Sequence, residues 1–405
     1  MADEKVKRLN VLISAYACEP NKGSEPGVGW NVAKEMAKYH NVWVITRANN
    51  REVIKKELEV RPVEGLNFLY YDLPKWLCWW KKGGQGVNLY YYLWQIGIYS
   101  VVKKKHQVIN FDLIHHVTFV RYWMPSFLSL LPVPFIWGPV GGGESAPPGL
   151  IRSLPLRYRL KESLRSIARW LGEHDPFVKM TACKANKIFA ATEETRDRIK
   201  NLTDKDAEVY PAIGVSQGEV AQGKKDASFI FISVGRLHYL KGFIYGIKAF
   251  SRVVKKEPQC EYWVVGDGPL SEGLSILSES LGISHKVIFF GELPHHEVLQ
   301  KIREADALVH PSMYESGGMV CLEALSLGKK LIIRDASGYA FFKEYELSYI
   351  VNESNSETGF VNELEEKMLE ACLDSTTLNE LNKCAQFYCW KNKAIKLREE
   401  YENVF

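Results

Sequence analysis

Short apolar runs, each closed by a glycine or proline turn, alternate with longer amphipathic stretches along the chain. Residues 9–14, 42–46, 111–119, 135–140 and 187–192 are dense in Val, Ile, Leu and Phe, the composition of parallel strands covered on both faces. Helical spacing of apolar positions falls between them, over 32–39 and again over 152–171. A polar, turn-rich stretch at 204–223 interrupts the pattern, and then it restarts. Strands are predicted at 229–234, 261–265, 286–290, 306–310 and 330–333, with helices at 242–255, 270–281, 294–304 and 319–328. Strand, turn and helix in strict rotation predict an α/β chain built as two Rossmann-like domains facing a central cleft, divided near 205–225.

Two segments leave the direction of their apolar faces open. Residues 68–106 carry Trp76, Trp79, Trp80, Tyr90, Tyr91, Tyr92, Trp94 and Tyr99 beside Lys81, Lys82 and Lys103–Lys105. Core packing is the first reading of these rings, and an interfacial position on a membrane the second. In the helix at 152–171, Leu156, Leu160, Leu164, Ile167 and Leu171 form one stripe, and Arg157, Arg159, Lys161, Arg165 and Arg169 lie elsewhere. Such a helix either turns its stripe to the core, the first reading, or lies on an anionic membrane surface.

A chain of 405 residues exceeds the size at which one core stops growing, roughly 250–300 residues, so two domains are expected. Its 46% hydrophobic and 25% charged residues are those of a folded soluble protein, and a net charge of +4 gives no reason to expect nucleic acid. The eight cysteines lack C-x-x-C pairing or zinc spacing, which suits reduced thiols in a cytoplasmic protein. The first residues lack the apolar segment of a signal peptide, and the run at 89–102 is shorter than the roughly 20 residues of a spanning helix.

Candidate chemistry collects where predicted strands end. In the first half these places are the loop with Gly23, Gly27 and Gly29, the pair His115 and His116, and the turn from Gly138 to Glu144. The glycine spacing is not that of a dinucleotide fingerprint, so phosphate or sugar contact by backbone N–H groups is the more general expectation. In the second half Arg236 and Lys241 follow a strand, two cations suited to a diphosphate. The stretch 310–325 joins a strand to a helix through Glu315, Ser316, Gly317, Gly318 and Met319, with Glu323 two turns on. Its glycines remove side chains where a helix begins, which exposes N–H groups to an anionic or polyhydroxyl ligand.

Gly235-Arg-Leu-x-x-x-Lys-Gly, Gly266-Asp-Gly-Pro-Leu and Pro311-Ser-x-x-Glu with the pair Glu315 and Glu323 resemble the C-terminal domain of family 4 retaining glycosyltransferases of GT-B fold. Gly23-Ser-Glu-Pro-Gly-Val-Gly-Trp and the segment 135–143 are similar to a branch of that family found in bacterial polysaccharide synthesis. The resemblance implies domains at 1–210 and 211–387, with a helix at 388–405 crossing back to the first. It implies a cytoplasmic or peripheral enzyme at the inner face of the plasma membrane. That enzyme moves a hexosyl group from a UDP- or GDP-linked sugar to a glycan or lipid-linked acceptor, with no cofactor and no metal. Arg236, Lys241, Gly27 and Gly29 would hold the donor diphosphate, and Glu323 the ribose. Glu315 with the backbone of Ser316, Gly317, Gly318 and Met319 would hold the transferred sugar and its phosphate. His116, with His115 as runner-up, would stand near the reacting centre. The chain departs from the family's D-x-x-H-x-H, having Val117 at the second histidine, and from its glycine and phenylalanine after Glu315. An epimerase acting on a nucleotide sugar and a non-catalytic glycan-binding protein are the alternatives.

Overall fold

A computed structural model of the chain describes residues 8–81, 86–215, 228–352, 356–374 and 387–405. Lys82 and the part of the predicted boundary from 216 to 225 lie outside the described residues. Two compact units result, one of Met1–Gly143, Ile167–Ala212 and Trp390–Phe405, the other of Glu144–Ser166 and Ile213–Cys389.

The first unit holds a seven-stranded sheet made of β1 (Asn10–Ala15), β2 (Asn41–Thr46), β3 (Leu66–Tyr70), β4 (Leu113–Thr118), β5 (Phe135–Val140), β6 (Lys187–Ala190) and β7 (Glu208–Val209). All its pairings are parallel, in the order β3-β2-β1-β4-β5-β6-β7. The central strands are buried along almost all of their length, with Val11, Leu12, Ile13, Leu113 and Ile114 wholly buried. The strand β7 was not anticipated, because two residues in a polar stretch give no period to read.

Seven helices are described up to residue 200. They are α1 (Ser24–Met36), α2 (Arg51–Val60), α3 (Val87–Ile109), α4 (Pro148–Ser153), α5 (Leu156–Glu173), α6 (Pro176–Lys184) and α7 (Glu193–Lys200), of which α4 and the start of α5 belong to the second unit. The sequence pattern puts residues 144–166 with the first domain, and the structure packs them on the second. Ala146, Leu150, Leu154 and Tyr158 join that unit's core. Thr192 caps α7, its side chain accepting the N–H of Thr195 at 3.1 Å. The aromatic segment divides: Tyr90, Tyr91 and Trp94 are core residues of α3, whereas Trp76 and Trp79 stand exposed.

The second unit is a six-stranded parallel sheet of β8 (Ile230–Val234), β9 (Glu261–Val265), β10 (Val287–Gly291), β11 (Ala307–His310), β12 (Lys330–Arg334) and β13 (Ser348–Val351). Its order is β10-β9-β8-β11-β12-β13, the doubly wound order that reverses direction between β8 and β11. Its helices are α8 (Phe243–Lys256), α9 (Ser271–Ser280), α10 (His295–Glu304), α11 (Met319–Ser326) and α12 (Glu357–Leu373). β13 and α12 lie beyond the last strand the pattern predicts. After them α13 (Trp390–Glu402) belongs to the first unit, where Tyr401 bonds His115 Nδ1 at 2.7 Å and Tyr210 donates to the Lys393 carbonyl at 3.2 Å.

Candidate functional site

Where strand order reverses, the two neighbouring strands send their following loops apart and leave a crevice at their carboxyl ends. In the second unit these loops are 235–242 after β8 and 311–318 after β11. Met313 N–H donates to the Leu240 carbonyl at 2.7 Å, and Ser312 Oγ donates to the same carbonyl at 3.0 Å, which ties one loop to the other. Arg334, buried at the end of β12, donates to the carbonyls of Ser312 at 3.2 Å and Met313 at 3.0 Å. That buried cation fixes the loop through acceptors the sequence does not advertise.

Glu315 is the centre of the cluster. Its Oε2 accepts from Lys241 Nζ at 2.8 Å and from His310 Nε2 at 3.0 Å, while Oε1 accepts the N–H of Gly318 at 3.0 Å. Burial by itself would raise the carboxyl, but the Lys241 charge and the two hydrogen bonds outweigh it and hold Glu315 well below the usual carboxylate range. Burial pushes the His310 imidazole down, so its Nε2–H meets the carboxylate as a neutral donor. Gly318 sits at the start of α11 with φ 61°, in the left-handed region that suits glycine. The helix N-terminus is therefore less open than the sequence suggests, since Glu315 takes its first N–H. Among the described residues, the N–H groups of Met319 and Val320 receive no backbone acceptor.

The two acids do not share one partner set. Glu323, on α11, accepts from His295 Nε2 at 2.8 Å at the start of α10. The hydrogen bond to Glu323 raises the His295 imidazole above its ordinary value, against the opposing effect of burial. Protonation of His295 thus contributes stability that is complete below the ordinary histidine value of about 6.5 and is lost as pH rises through the folded value. Proton titration of His295 by NMR is expected to show a midpoint above that of a free histidine. In Glu323→Gln the midpoint should return toward it, and an unchanged midpoint would separate the two groups.

Arg236 extends into solvent, and among the described residues no ion pair engages it. Ser316 Oγ donates to Glu144 Oε2 at 3.2 Å. A Cβ on Gly317 would stand 2.8 Å from Ile213 Cγ2, so that glycine makes room for a side chain of its own unit. The loops carrying Lys241 and Glu315 share another anchor in Glu162 of α5, which accepts from Tyr239 Oη at 2.7 Å and from Tyr314 Oη.

The first-unit candidates are placed differently. Gly27 and Gly29 belong to α1, which begins at Ser24 rather than near residue 32, so both N–H groups enter the helical ladder instead of a phosphate loop. A Cβ on Gly27 would lie 2.0 Å from the Lys22 carbonyl oxygen, and one on Gly29 2.3 Å from that of Ala17. The glycines let α1 press against the segment that leads into it. His115 and His116 alternate across β4 and are both buried. His115 bonds Tyr401 and the Gly138 carbonyl, each at 2.7 Å, and His116 Nε2 bonds Tyr91 Oη at 2.9 Å. Burial lowers their imidazoles to about 4 and about 3, so both are neutral at pH 7.

His310, His295, Arg334 and Glu162 escaped the sequence reading. A strand-terminal histidine five residues before an acid, and a histidine at a helix start, are the only signals the first two leave. Among the described residues there is no group of three or more metal-ligating side chains, and no helix is long and apolar enough to cross a membrane.

Residues 218–385 match the family "Glycosyl transferases group 1". An uncharacterized glycosyltransferase of Methanocaldococcus jannaschii is 30% identical over 128 residues, which is 32% of this chain and 33% of that protein. The alpha-monoglucosyldiacylglycerol synthase of Streptococcus pneumoniae is 25% identical over 272 residues, 64% of this chain and 55% of that one. The chain thus spans between a third and about half of these curated relatives. Over nearly the full length it shares its fold with an Anabaena protein solved in complex with UDP, at a TM-score of 0.64, 15% identity, 98% of this chain and 100% of that one.

Proposed function

We propose that the chain is a retaining, metal-independent hexosyltransferase of GT-B fold, a reading supported by the match of residues 218–385 to the group 1 glycosyl transferases and by the fold it shares with the Anabaena protein. The donor is a nucleotide sugar, and the acceptor a glycan or lipid-linked hydroxyl in cell-surface polysaccharide synthesis. The observation that carries this reading is the gathering of Arg236, Lys241, Glu315 and Glu323 on the loops and helix that follow β8 and β11. The UDP held by the Anabaena protein of the same fold supports a nucleotide donor.

The proposed chemistry is positioning and charge stabilisation. An ammonium has three donors, and Glu315 takes one of Lys241's, which leaves two for a diphosphate. Arg236 adds a planar fork, and the Met319 and Val320 N–H groups meet phosphate at the positive end of α11. As the sugar–phosphate bond breaks, negative charge grows on the leaving diphosphate, and these fixed positive groups stabilise it without reorganising. Glu323, oriented by His295, accepts from the ribose hydroxyls. Glu315 orients Lys241 and receives a hydroxyl of the transferred sugar. The acceptor hydroxyl attacks on the face that the diphosphate leaves, so the configuration at the anomeric carbon is retained. A lipid-linked acceptor would place the chain at the inner face of the plasma membrane.

Calorimetric titration with UDP and GDP, followed by a screen of nucleotide sugars for released nucleoside diphosphate, tests the proposal. We expect one nucleotide to bind and one donor to give a product whose anomeric configuration matches the donor. Absence of binding by either nucleotide ends the reading, and a changed sugar formed without acceptor assigns an epimerase instead.

A further inference from the structure

The helix α5 is turned inside out. On a wheel of about 100° per residue, Leu156, Leu160, Leu164, Ile167, Trp170 and Leu171 occupy one face, and Tyr158, Glu162, Arg165, Arg169 and Gly172 the opposite one. The polar face points inward. Tyr158 stacks on Tyr239 with ring centroids 4.3 Å apart, Glu162 receives Tyr239 and Tyr314, Arg165 lies over the Tyr314 ring at 4.0 Å, and Arg169 is buried. The six apolar side chains of the other face are between 54% and 68% exposed. The expectation of a core-facing stripe is thereby corrected: charged and aromatic groups fill the inner face, and the leucines go to solvent.

Such a stripe demands an occupant, because exposed apolar surface of this continuity is uncommon on a soluble protein. The flanking charges select it. Arg157 and Lys161 border the stripe on one side and Arg159 on the other, all three exposed, and among the described residues none is in an ion pair. From residue 145 to 172 the sequence contains one acid, Glu162, and it is buried. A second copy of the chain meeting the stripe face to face about a two-fold axis would bring these cations against their own counterparts. An anionic bilayer meets both features at once: acyl chains receive Leu156, Leu160, Leu164 and Ile167, headgroup phosphates receive the guanidinium and ammonium groups, and Trp170 takes the interface.

We propose that the outward face of α5 docks the protein on an anionic lipid bilayer, with the helix lying in the plane of the surface. Its inward face holds, through Glu162, the two loops that carry Lys241 and Glu315, so docking fixes the orientation of those loops to the bilayer. The assignment is independent of the transfer reaction, since vesicle binding is measured without donor or acceptor.

The full chain is sedimented with vesicles of phosphatidylcholine alone and with vesicles in which roughly one lipid in three is phosphatidylglycerol. At low salt it should pellet with the anionic vesicles only, and salt above about 0.5 M should release it. Leu160→Ser with Leu164→Ser should weaken partitioning by about tenfold or more, with the melting temperature unchanged because neither side chain packs inside. Arg157→Glu with Lys161→Glu, which leaves the leucines in place, should weaken it separately. Protein that stays in the supernatant at low salt overturns the proposal, as does binding indifferent to both double variants. A concentration-dependent dimer abolished by Leu160→Ser with Leu164→Ser also overturns it, in favour of a second copy. A chain that binds vesicles but transfers no sugar leaves the surface standing and removes the proposed reaction.

Discussion

Lys241→Ala is expected to lower kcat/KM for sugar transfer by about 10²–10³-fold, the usual effect of removing one fixed group that stabilises charge developing on a leaving group. The loss has two parts. The diphosphate loses a cation, and Glu315, desolvated and holding its charge largely through Lys241, is left with only His310 and Gly318. Its carboxyl then rises toward the range burial favours, which costs stability near neutral pH. Lys241→Arg keeps the charge but replaces a compact ammonium by a fork, so it should restore stability more fully than activity. Initial rates, nucleotide affinity and melting temperature, compared for both variants, check the argument. Wild-type turnover in the alanine variant would falsify the assignment of Lys241 to the diphosphate.

Gly29→Ala is expected to destabilise the first unit by roughly 3 kcal/mol or more, the range reached when a side chain is forced into a packed interior. The new Cβ would lie 2.3 Å from the Ala17 carbonyl oxygen and 3.1 Å from Thr118 Cγ2. The carbonyl cannot swing aside cheaply, because Thr118 Oγ1 donates to it at 2.9 Å while accepting the Ala17 N–H at 3.0 Å. For a unit of this size the penalty corresponds to a fall of about 6–12 °C in melting temperature. Thermal unfolding measured with and without saturating nucleotide separates this effect from a phosphate-binding role. A variant as stable as the parent but weaker for nucleotide would return Gly29 to the phosphate loop.

The sheets were legible in the sequence because parallel strands covered on both faces are mostly apolar, as in β1 and β8. The start of α1 was not, because Gly27 and Gly29 have the local signature of a loop, and only the nearness of Ala17 and Lys22, a tertiary fact, explains them inside a helix. The same holds for α5. Periodicity gives the stripe, but which face is inside depends on Tyr239 and Tyr314, more than seventy residues away. In the site, Glu315, Glu323, Arg236 and Lys241 stood out by type and spacing at strand ends. What fixes them did not. His310, His295 and Arg334 act through single hydrogen bonds that leave no periodic trace, and the family resemblance supplies roles for the acids without saying which cation or imidazole each one holds.

The return of α13 to the first unit has a consequence for synthesis on the ribosome. Apart from its short early segment at 144–166, the second unit is contiguous from Ile213 to Cys389, so it can close as soon as that stretch has emerged. The first unit begins earlier and closes later: His115 awaits Tyr401, and Tyr210 awaits the carbonyl of Lys393, until α13 is translated. The first unit therefore closes only after all of the second has been translated, through a bond joining residues 286 positions apart.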